Sequence, residues 1–438
     1  MLENTVVEAR RIAEKGATSA LQSLAVDKPE PFGTMCPSQR ELRRRLRARG
    51  RQLGDLQGEI GHLAQACAYE HWHRMLFARF LAENGFLLDP DYQVSLSMAD
   101  VQERARELGR DWLDVASEFA QRMLLDVFRP GDPVLEVALP PEKRQQLETK
   151  LEQLPADIFT AADSLGWVYQ FWQKEEKDRV NHSETKIGAD QLAAVTQLFT
   201  EDYMVLFLLH NTLGAWWTAL HNSPALDGYE WSYLRLNEDG TPAAGNFEGW
   251  PNRACELRVL DPCMGSGHFL VFALPILARM RMTEESLSVQ DAIYAALRDN
   301  LFGLELDARC SQIAAFNLAL TAWRLAGELF SLPRLNLACS GLGINASEAE
   351  WMKLANGDSR ARTTMQKLYD LFQKAPTLGS LIDPTRVGDL ITARFDEVRP
   401  LLEQALAQES LGDQGKELAI AAEGLLAAAR ILAGKFTL

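Results

Sequence analysis

The chain has 438 residues, of which 47% are hydrophobic and 24% are charged, enough to build the cores of two or three globular domains. It shows no run of about 20 apolar residues, no signal peptide and no Cys-x-x-Cys pair among its six scattered cysteines, so we expect a cytoplasmic protein without a membrane span, a zinc site or a disulfide framework. The net charge of −15 argues against DNA binding by the whole surface, because the phosphate backbone attracts Lys and Arg.

The first 190 residues are predicted to form an α-helical domain. Apolar residues recur at three- and four-residue spacing over residues 61–87, 112–128 and 158–172, as they do on the buried face of a helix. Proline-containing segments at residues 130–133 and 139–141 divide these helices into two groups.

Three polar patterns in this domain have both a functional and an ordinary explanation. Residues 40–51 include seven arginines, which are typical of a solvated helix face or, as the alternative, of a DNA phosphate contact. His71 and His73 lie two apart, on different faces of a helix, which indicates packing or surface histidines and no metal site. Asp163 with residues 175–177 imitates the D…E-x-K pattern of metal-dependent nucleases, but its helical context disfavours that activity.

A second region, residues 191–345, begins with the segment TQLFTEDYMV at residues 196–205. Here we expect Thr200 to act as the hydroxyl N-cap of a helix running from Asp202 to Leu220. The adjacent Trp216 and Trp217 follow apolar helix residues, so we interpret them as core residues and not as a base-stacking platform.

The most informative segment is RVLDPCMGSGHFL, residues 258–270. A short aliphatic strand ends at Asp261, two glycines then flank a serine, and an apolar helix is predicted over residues 269–280. Glycine lets a backbone turn tightly and approach a ligand, and the following helix start offers free N–H groups. Leu270 occupies the third-glycine position of the dinucleotide fingerprint, so that motif is excluded. The pattern predicts the cofactor corner of a doubly wound α/β sheet.

Two further strands are predicted after this corner. Residues 300–307 form the next strand, which ends in acids and leads into a helix over residues 308–325. An acid at the tip of this second strand, Glu305, is placed to bond ribose hydroxyls. An additional helix over residues 288–299 accounts for the long spacing, and residues 335–340 form the third strand.

The pattern from Asp261 to Leu270 resembles motif I of S-adenosylmethionine-dependent amino-group DNA methyltransferases, in the D-P-x-x-G-S-G-x-F-L form typical of adenine-N6 enzymes. Residues 196–205 resemble motif X of the same family, although Glu201 replaces the usual proline. Less specific segments resemble large phage-defence adenine methyltransferases of the BREX and DISARM type and their type II restriction–modification relatives; these are residues 68–84, 165–172 and 371–384.

The resemblance implies S-adenosyl-L-methionine as the cofactor. It assigns the methionine end to Thr200 and the turn after the first strand, and the ribose to Glu305. The complete set of implied cofactor-binding residues is Thr200, Asp261, Pro262, Gly265, Ser266, Gly267, Phe269 and Glu305. Many relatives hold the cofactor adenine with an Asp after the third strand, where this chain has Cys339-Ser340-Gly341; a G-D-S string at residues 357–359 is a less favoured substitute.

The [DNS]-P-P-[YFW] loop, with which such enzymes hold a flipped adenine, does not occur in the sequence. Residues 346–430 are predicted to be an inserted helical segment, and residues 431–438 resemble the start of the strand that leads to this loop. We therefore assign no catalytic residue and expect a partial Rossmann-like methyltransferase core, following the helical domain of residues 1–190.

The implied function is adenine-N6 methylation of DNA in phage defence or restriction–modification, with this chain supplying the cofactor half. Double-stranded DNA would be contacted mainly by sequence or subunits absent here, and other defence-system proteins are candidate partners. One alternative is a non-catalytic S-adenosylmethionine-binding or assembly subunit of a split methyltransferase. Another is a protein or RNA methyltransferase, or a degenerate Rossmann-like interaction module.

Overall fold

The computed structural model describes residues 2–56, 58–128, 131–161, 164–183, 200–245, 247–341 and 359–374, with the single residues 348, 352 and 378. The chain divides into two compact units, Met1–Gln197 and Leu198–Leu438. Within the described residues, both are rich in helix and their sheets are small, with two and three strands. None of the described helices combines the length and the apolarity that a membrane span requires.

The described part of the first unit contains nine helices and an antiparallel hairpin. These elements are α1 (Leu2–Ser23), α2 (Pro37–Gln52), α3 (Gly61–Glu83), β1 (Leu87–Asp89), β2 (Val94–Leu96), α4 (Met98–Leu108), α5 (Trp112–Met123), α6 (Leu125–Phe128), a 3₁₀ turn (Pro133–Glu136), α7 (Pro141–Glu152), α8 (Asp157–Thr160) and α9 (Ser164–His182).

Helix α3 is the centre of this unit and packs against α1 and α5. It is apolar around most of its circumference, and such a helix is stable only when it is buried on several sides. His73 is fully buried there and stacks on Tyr69, with ring centroids 3.8 Å apart. His71 is also buried enough that desolvation lowers its pKa to about 4. The interpretation of these histidines as packing residues is confirmed.

Helix boundaries in this unit differ from the sequence predictions where the backbone leaves the helical region. Helix α3 ends at Glu83 because Gly85 takes a φ of +68° and the chain then enters the β1–β2 hairpin. The predicted helix over residues 112–128 is interrupted at Leu124, whose φ of −130° and ψ of 67° are not helical. The predicted helix over residues 158–172 is divided between α8 and α9.

The arginine-rich segment forms α2, and several of its side chains bond to nearby segments of the same unit. Arg43 is buried, and Arg43 and Arg47 donate hydrogen bonds to backbone carbonyls of residues 25–29. Arg45 and Arg49 form ion pairs with acids in residues 132–136. The prediction of a solvated helix face holds for the exposed Arg40, Arg44 and Arg51, whereas the other four guanidinium groups are used within the unit. Because these arginines are bonded within the unit, the structure gives no support to the alternative that they contact DNA phosphates.

The described part of the second unit contains a three-stranded parallel sheet among helices. Its elements are α10 (Asp202–Leu209), a π-turn (His210–Gly214), α11 (Ala215–His221), a 3₁₀ turn (Ala254–Glu256), β3 (Val259–Asp261), α12 (His268–Glu285), α13 (Val289–Ala295), a second π-turn (Ala296–Asn300), β4 (Leu301–Glu305), α14 (Ala308–Ala326), β5 (Asn336–Cys339) and α15 (Ser359–Phe372).

The sheet has the order β3–β4–β5, and helices connect consecutive strands. Leu260 lies opposite Phe302, and Glu305 lies opposite Cys339. Since all three strands run in the same direction, their carboxyl ends meet at one edge of the sheet. The predicted strands and helices of this region are observed with ends that shift by a few residues; helix α12 begins at His268 and continues to Glu285, for example.

The core of this unit lies between the α10–α11 segment, helices α12–α14 and the sheet. Trp216 and Trp217 are almost fully buried in it, and their indole N–H groups donate to the carbonyls of Pro251 and Ala225 at 3.0 Å each. The expectation that this tryptophan pair belongs to the core is confirmed.

The helix predicted from Asp202 to Leu220 contains a π-turn at residues 210–214. In this turn His210 Nδ1 accepts the Tyr233 N–H at 3.1 Å, and Nε2 lies 2.9 Å from the Tyr229 hydroxyl. A Cβ on Gly214 would lie 2.6 Å from the Trp231 ring. The widened turn therefore packs closely against the loop after α11. Local sequence patterns do not predict this contact.

Several predicted features lie outside the described residues. They are residues 191–199, Asp163, residues 356–358, most of the predicted insertion at 346–430, and all of residues 431–438.

Candidate functional site

The turn at residues 261–267 connects β3 to α12 at the carboxyl edge of the sheet. Strand β3 ends at Asp261, and the Met264 N–H then donates to the Leu304 carbonyl at 3.0 Å. The Gly267 N–H closes the turn by donating to the Met264 carbonyl at 2.8 Å. These bonds fix the turn against the neighbouring strand β4.

The two glycines of the turn have different surroundings. Both adopt left-handed conformations, with φ of +55° at Gly265 and +81° at Gly267, which an L side chain rarely takes. A Cβ on Gly267 would lie 2.9 Å from Ala314 Cβ, whereas no heavy atom of the described residues lies within 4 Å of a Cβ built on Gly265. Between them, the Ser266 carbonyl accepts a bond from Asn317 Nδ2 at 2.9 Å. The turn is thus packed at Gly267 and open at Gly265.

Glu305, at the tip of β4, is bonded directly to this turn. Its Oε2 accepts the Gly265 N–H at 2.8 Å. Its Oε1 accepts the N–H groups of Leu306 at 2.8 Å and Asp307 at 3.0 Å. A single carboxylate therefore joins the turn after β3 to the turn after β4, and it holds the two predicted halves of the site together.

The two acids of the site are partly desolvated. Burial raises the pKa of Asp261, against the opposing effect of the Cys263 N–H, which donates to Oδ1 at 3.1 Å. Burial likewise raises the pKa of Glu305, and its backbone hydrogen bonds act in the opposite direction. The pKa of the Cys263 thiol is raised by burial and by these two acids. Asp261 and Glu305 are therefore two partly buried carboxyl groups at this turn.

The start of α12 is linked to the start of α10. His268, the first residue of α12, places Nε2 3.1 Å from Oδ1 of Asp202, the first residue of α10. Burial lowers the pKa of His268, while the Asp202 carboxylate and the Thr200 carbonyl oppose that shift. Thr200 thus approaches the turn through its backbone.

The expected capping role of Thr200 is wrong. The helix begins at Asp202, so the cap position falls on Glu201, whose φ of −59° and ψ of 140° are extended. Thr200 stands one residue too early for a cap. It nevertheless lies near the turn, next to His268.

The remaining predicted residues flank the turn. Pro262 is exposed, and Phe269 is half-buried and packs against the core behind the turn. The structure therefore brings the predicted turn residues, Glu305 and Thr200 to one end of the sheet.

The end of β5 is closed against β4. The Ser340 N–H donates to the Glu305 carbonyl at 2.7 Å, and its hydroxyl bonds the same oxygen at 3.2 Å. A Cβ on Gly341 would lie only 2.0 Å from the Leu306 carbonyl oxygen. Since Ser340 is buried and used within the sheet edge, it is not available as a substitute contact for a cofactor adenine.

Three residues of this site, Asp202, His268 and Asn317, were not predicted from the sequence. Asp202 and His268 each open a helix next to a predicted site segment, which is a weak signal that also fits ordinary helix starts. Asn317 lies inside α14 and bonds the turn across 51 positions of sequence, so local sequence patterns could not indicate it.

Comparisons with known proteins agree with the sequence resemblance. No protein-family model matches the chain. The chain is similar to the adenine-specific methyltransferase BrxX of Escherichia coli O9:H4 (strain HS), with 28% identity over 304 residues, 62% of this chain and 25% of that protein. It is also similar to the adenine-specific methyltransferase PglX of Lacticaseibacillus casei (strain Zhang), with 28% identity over 193 residues, 42% of this chain and 16% of that protein.

Two solved structures show a distant likeness. One is the ATP-dependent Type ISP restriction-modification enzyme LlaBIII bound to DNA, with 16% identity and a TM-score of 0.34 over 77% of this chain and 17% of that one. The other is a nuclease-deletion mutant of the Type ISP restriction-modification enzyme LlaGI in complex with a DNA substrate mimic, with 15% identity and a TM-score of 0.34 over 84% of this chain and 23% of that one. These scores are too low to define the fold. The chain spans a quarter or less of each curated relative, and the sequence comparisons support similarity to adenine-specific methyltransferases.

Proposed function

We propose that the second unit binds S-adenosylmethionine at the carboxyl edge of a partial Rossmann-like core. The observation that carries this proposal is the bond between Glu305 and the Gly265 N–H, which holds an acid at the tip of the second strand beside a glycine turn and a helix start. This is the arrangement with which doubly wound sheets bind nucleotide-containing cofactors.

The residues present fit such a cofactor. The space next to Gly265 is open, so a ligand can approach the backbone there without displacing a side chain. The acids Asp261 and Glu305 suit hydroxyl and ammonium groups, and both are partly buried, as ligand-binding acids often are. The first N–H groups of the 18-residue helix α12 suit a carboxylate. Ribose hydroxyls, an α-ammonium and an α-carboxylate are the polar groups of S-adenosylmethionine outside its base.

In this proposal each predicted site residue has a role. Glu305 binds a ribose hydroxyl with the lone pair of Oε2 that its three backbone hydrogen bonds leave free. The turn from Asp261 through Pro262 to Gly267, with Ser266 at its apex, and Thr200 hold the methionine end. Phe269 supports the turn from behind. When bound, the cofactor would supply a methyl group on a sulfonium for transfer to an amino nitrogen.

We further propose that the chain serves an adenine-N6 DNA methyltransferase of a phage-defence or restriction–modification system. Its similarity to two proteins named adenine-specific methyltransferases supports this proposal, as does the form of its motif I. DNA as the substrate, other defence-system proteins as partners and a cytoplasmic location follow from that role. Because the sequence has no [DNS]-P-P-[YFW] string, we propose that this chain contributes cofactor binding and does not transfer the methyl group by itself.

Isothermal titration of the chain with S-adenosylmethionine tests the cofactor site. We expect saturable binding to the wild type and a loss of about tenfold or more in Asp261→Ala, because a partly buried charged hydrogen-bonding group is removed. Asp291→Ala is the matched control, since Asp291 lies in the first turn of α13, beyond the far end of α12, and should leave binding unchanged. Absence of binding to the wild type, or equal affinities for wild type and Asp261→Ala, would reject the site.

A second assay tests whether this chain binds the cofactor without transferring the methyl group by itself. Incubation of the chain with adenine-containing DNA and the methyl-labelled cofactor should leave the DNA unlabelled. Labelled N6-methyladenine produced by this chain alone would show that the proposed restriction to cofactor binding is wrong.

A further inference from the structure

Asn317 connects helix α14 to the glycine turn at residues 261–267. Its Nδ2 donates to the Ser266 carbonyl at 2.9 Å, although the two residues are 51 positions apart in the sequence. Ala314 lies three positions earlier, on the same face of α14, and a Cβ built on Gly267 would lie 2.9 Å from Ala314 Cβ. One face of α14 therefore holds the turn both by packing and by a hydrogen bond.

The hydrogen bonds of the turn leave one of its peptide groups unused. The Gly265 N–H donates to Glu305, and the Gly267 N–H donates to a carbonyl within the turn. The peptide between Ser266 and Gly267 is thereby bonded at both ends, since its carbonyl accepts from Asn317. In contrast, the Gly265 carbonyl and the Ser266 N–H have no hydrogen-bond partner among the described residues. This unused peptide begins at Gly265, on the open side of the turn.

A turn with two glycines needs outside contacts to keep one conformation. Gly265 and Gly267 both have positive φ, and glycine loses more conformational freedom on ordering than any other residue. If a ligand had to order the turn, that cost would reduce its affinity, whereas a turn that is already held binds without the cost. Asn317 fixes the peptide that directly follows the unused one.

We propose that Asn317 is a positioning residue for the cofactor. By holding the Ser266 carbonyl on α14, it keeps the neighbouring Gly265–Ser266 peptide turned to the open side, where this peptide contacts S-adenosylmethionine. Asn317 acts through the turn and does not touch the ligand. The inference rests on the proposed cofactor site and deepens it, because the affinity then depends on the helix that follows the strand carrying Glu305.

Isothermal titration of the full chain with S-adenosylmethionine tests this role. Asn317→Ala should weaken binding about three- to tenfold, the usual range for the loss of one hydrogen bond. Asn336→Ala is the matched control: the Asn336 amide is also half-buried and donates to backbone carbonyls, but it lies at the start of β5, at the opposite edge of the sheet from the turn. Both variants should lose a similar, small amount of stability in urea unfolding, and only Asn317→Ala should lose affinity.

Asn317→Asp separates hydrogen bonding from the filling of space. This variant keeps the shape of the side chain, but an ionised carboxylate cannot donate to the Ser266 carbonyl, whereas a protonated carboxyl can. Its affinity, taken relative to that of the wild type at the same pH, should be low at about pH 7 and should recover as the pH falls to about 5. The comparison at each pH removes the contributions of Asp261 and Glu305, which titrate in both proteins.

Hydrogen exchange gives a local measure of the same role. The Gly265 and Gly267 N–H groups should exchange faster in Asn317→Ala, while the amides of strand β4 should keep their wild-type rates. Equal acceleration in the turn and in β4 would show that Asn317 only stabilises the unit.

Three binding results would also decide against the inference. Unchanged affinity in Asn317→Ala, or an affinity ratio of Asn317→Asp that does not vary with pH, would overturn it and leave the cofactor site standing. If the wild type does not bind S-adenosylmethionine, the proposed cofactor site fails, and the inference fails with it.

Discussion

Alanine substitution at the two glycines of the turn should separate stability from ligand binding. Gly265 and Gly267 both have positive φ, so either substitution carries a backbone cost of about 1–2 kcal/mol. At Gly267 the new Cβ would also lie 2.9 Å from Ala314 Cβ and 3.1 Å from Ala314 Cα, and such overpacking costs about 1–3 kcal/mol more. At Gly265 the new methyl group would enter open space. We therefore expect a loss of about 2–5 kcal/mol in Gly267→Ala and about 1–2 kcal/mol in Gly265→Ala.

Binding should show the reverse order. The methyl group of Gly265→Ala would occupy the space that we assign to the cofactor, so this variant should stay folded and bind S-adenosylmethionine at least tenfold more weakly. Calorimetric melting of the full chain and titration with the cofactor measure the two quantities on the same samples. Wild-type affinity in Gly265→Ala would show that the open space is not ligand space. Equal melting temperatures of the two variants would refute the packing argument at Gly267.

Three further predictions, two of them with a control substitution, test other parts of the structure. Because burial raises the pKa of Glu305, the folded chain gains stability when this carboxyl is protonated and loses it as pH rises through the raised pKa. From pH 4 to 7 the free energy of unfolding in urea should therefore fall more in the wild type than in Glu305→Gln. Equal slopes of this free energy against pH would contradict the prediction. Asn300→Ala should lower the free energy of unfolding by about 3 kcal/mol, because the buried amide donates to two carbonyls and accepts from a guanidinium. Asn336→Ala should lower it by only about 1 kcal/mol, because water can replace that half-exposed amide. Equal losses for the two variants in urea unfolding would be inconsistent with this difference. Arg43→Ala should destabilise the first unit by about 2 kcal/mol, because three hydrogen bonds to backbone carbonyls are lost. The control Arg51→Ala, at an exposed position, should change its stability by no more than about 0.5 kcal/mol. Matching melting curves of the two variants would show that Arg43 does not stabilise the unit.

The local elements of the second unit were predictable because their causes are local. An apolar strand that ends in an acid, two glycines that permit positive φ, and a following apolar helix are all contiguous between Val259 and Glu285. The same holds for β4, its terminal Glu305 and helix α14. These segments could therefore be placed from their own residues to within a few positions.

Only the tertiary structure decided what depends on contacts between distant residues. The π-turn at His210 follows from packing against a loop about 20 residues away, and Arg43 is buried because a preceding loop offers it carbonyls. The bond from Glu305 to the Gly265 N–H and the Asp202–His268 pair join segments separated by 40 and 66 positions. A sequence pattern reports the backbone conformation that each residue favours, but the partner of a polar side chain is set by how the helices and strands pack.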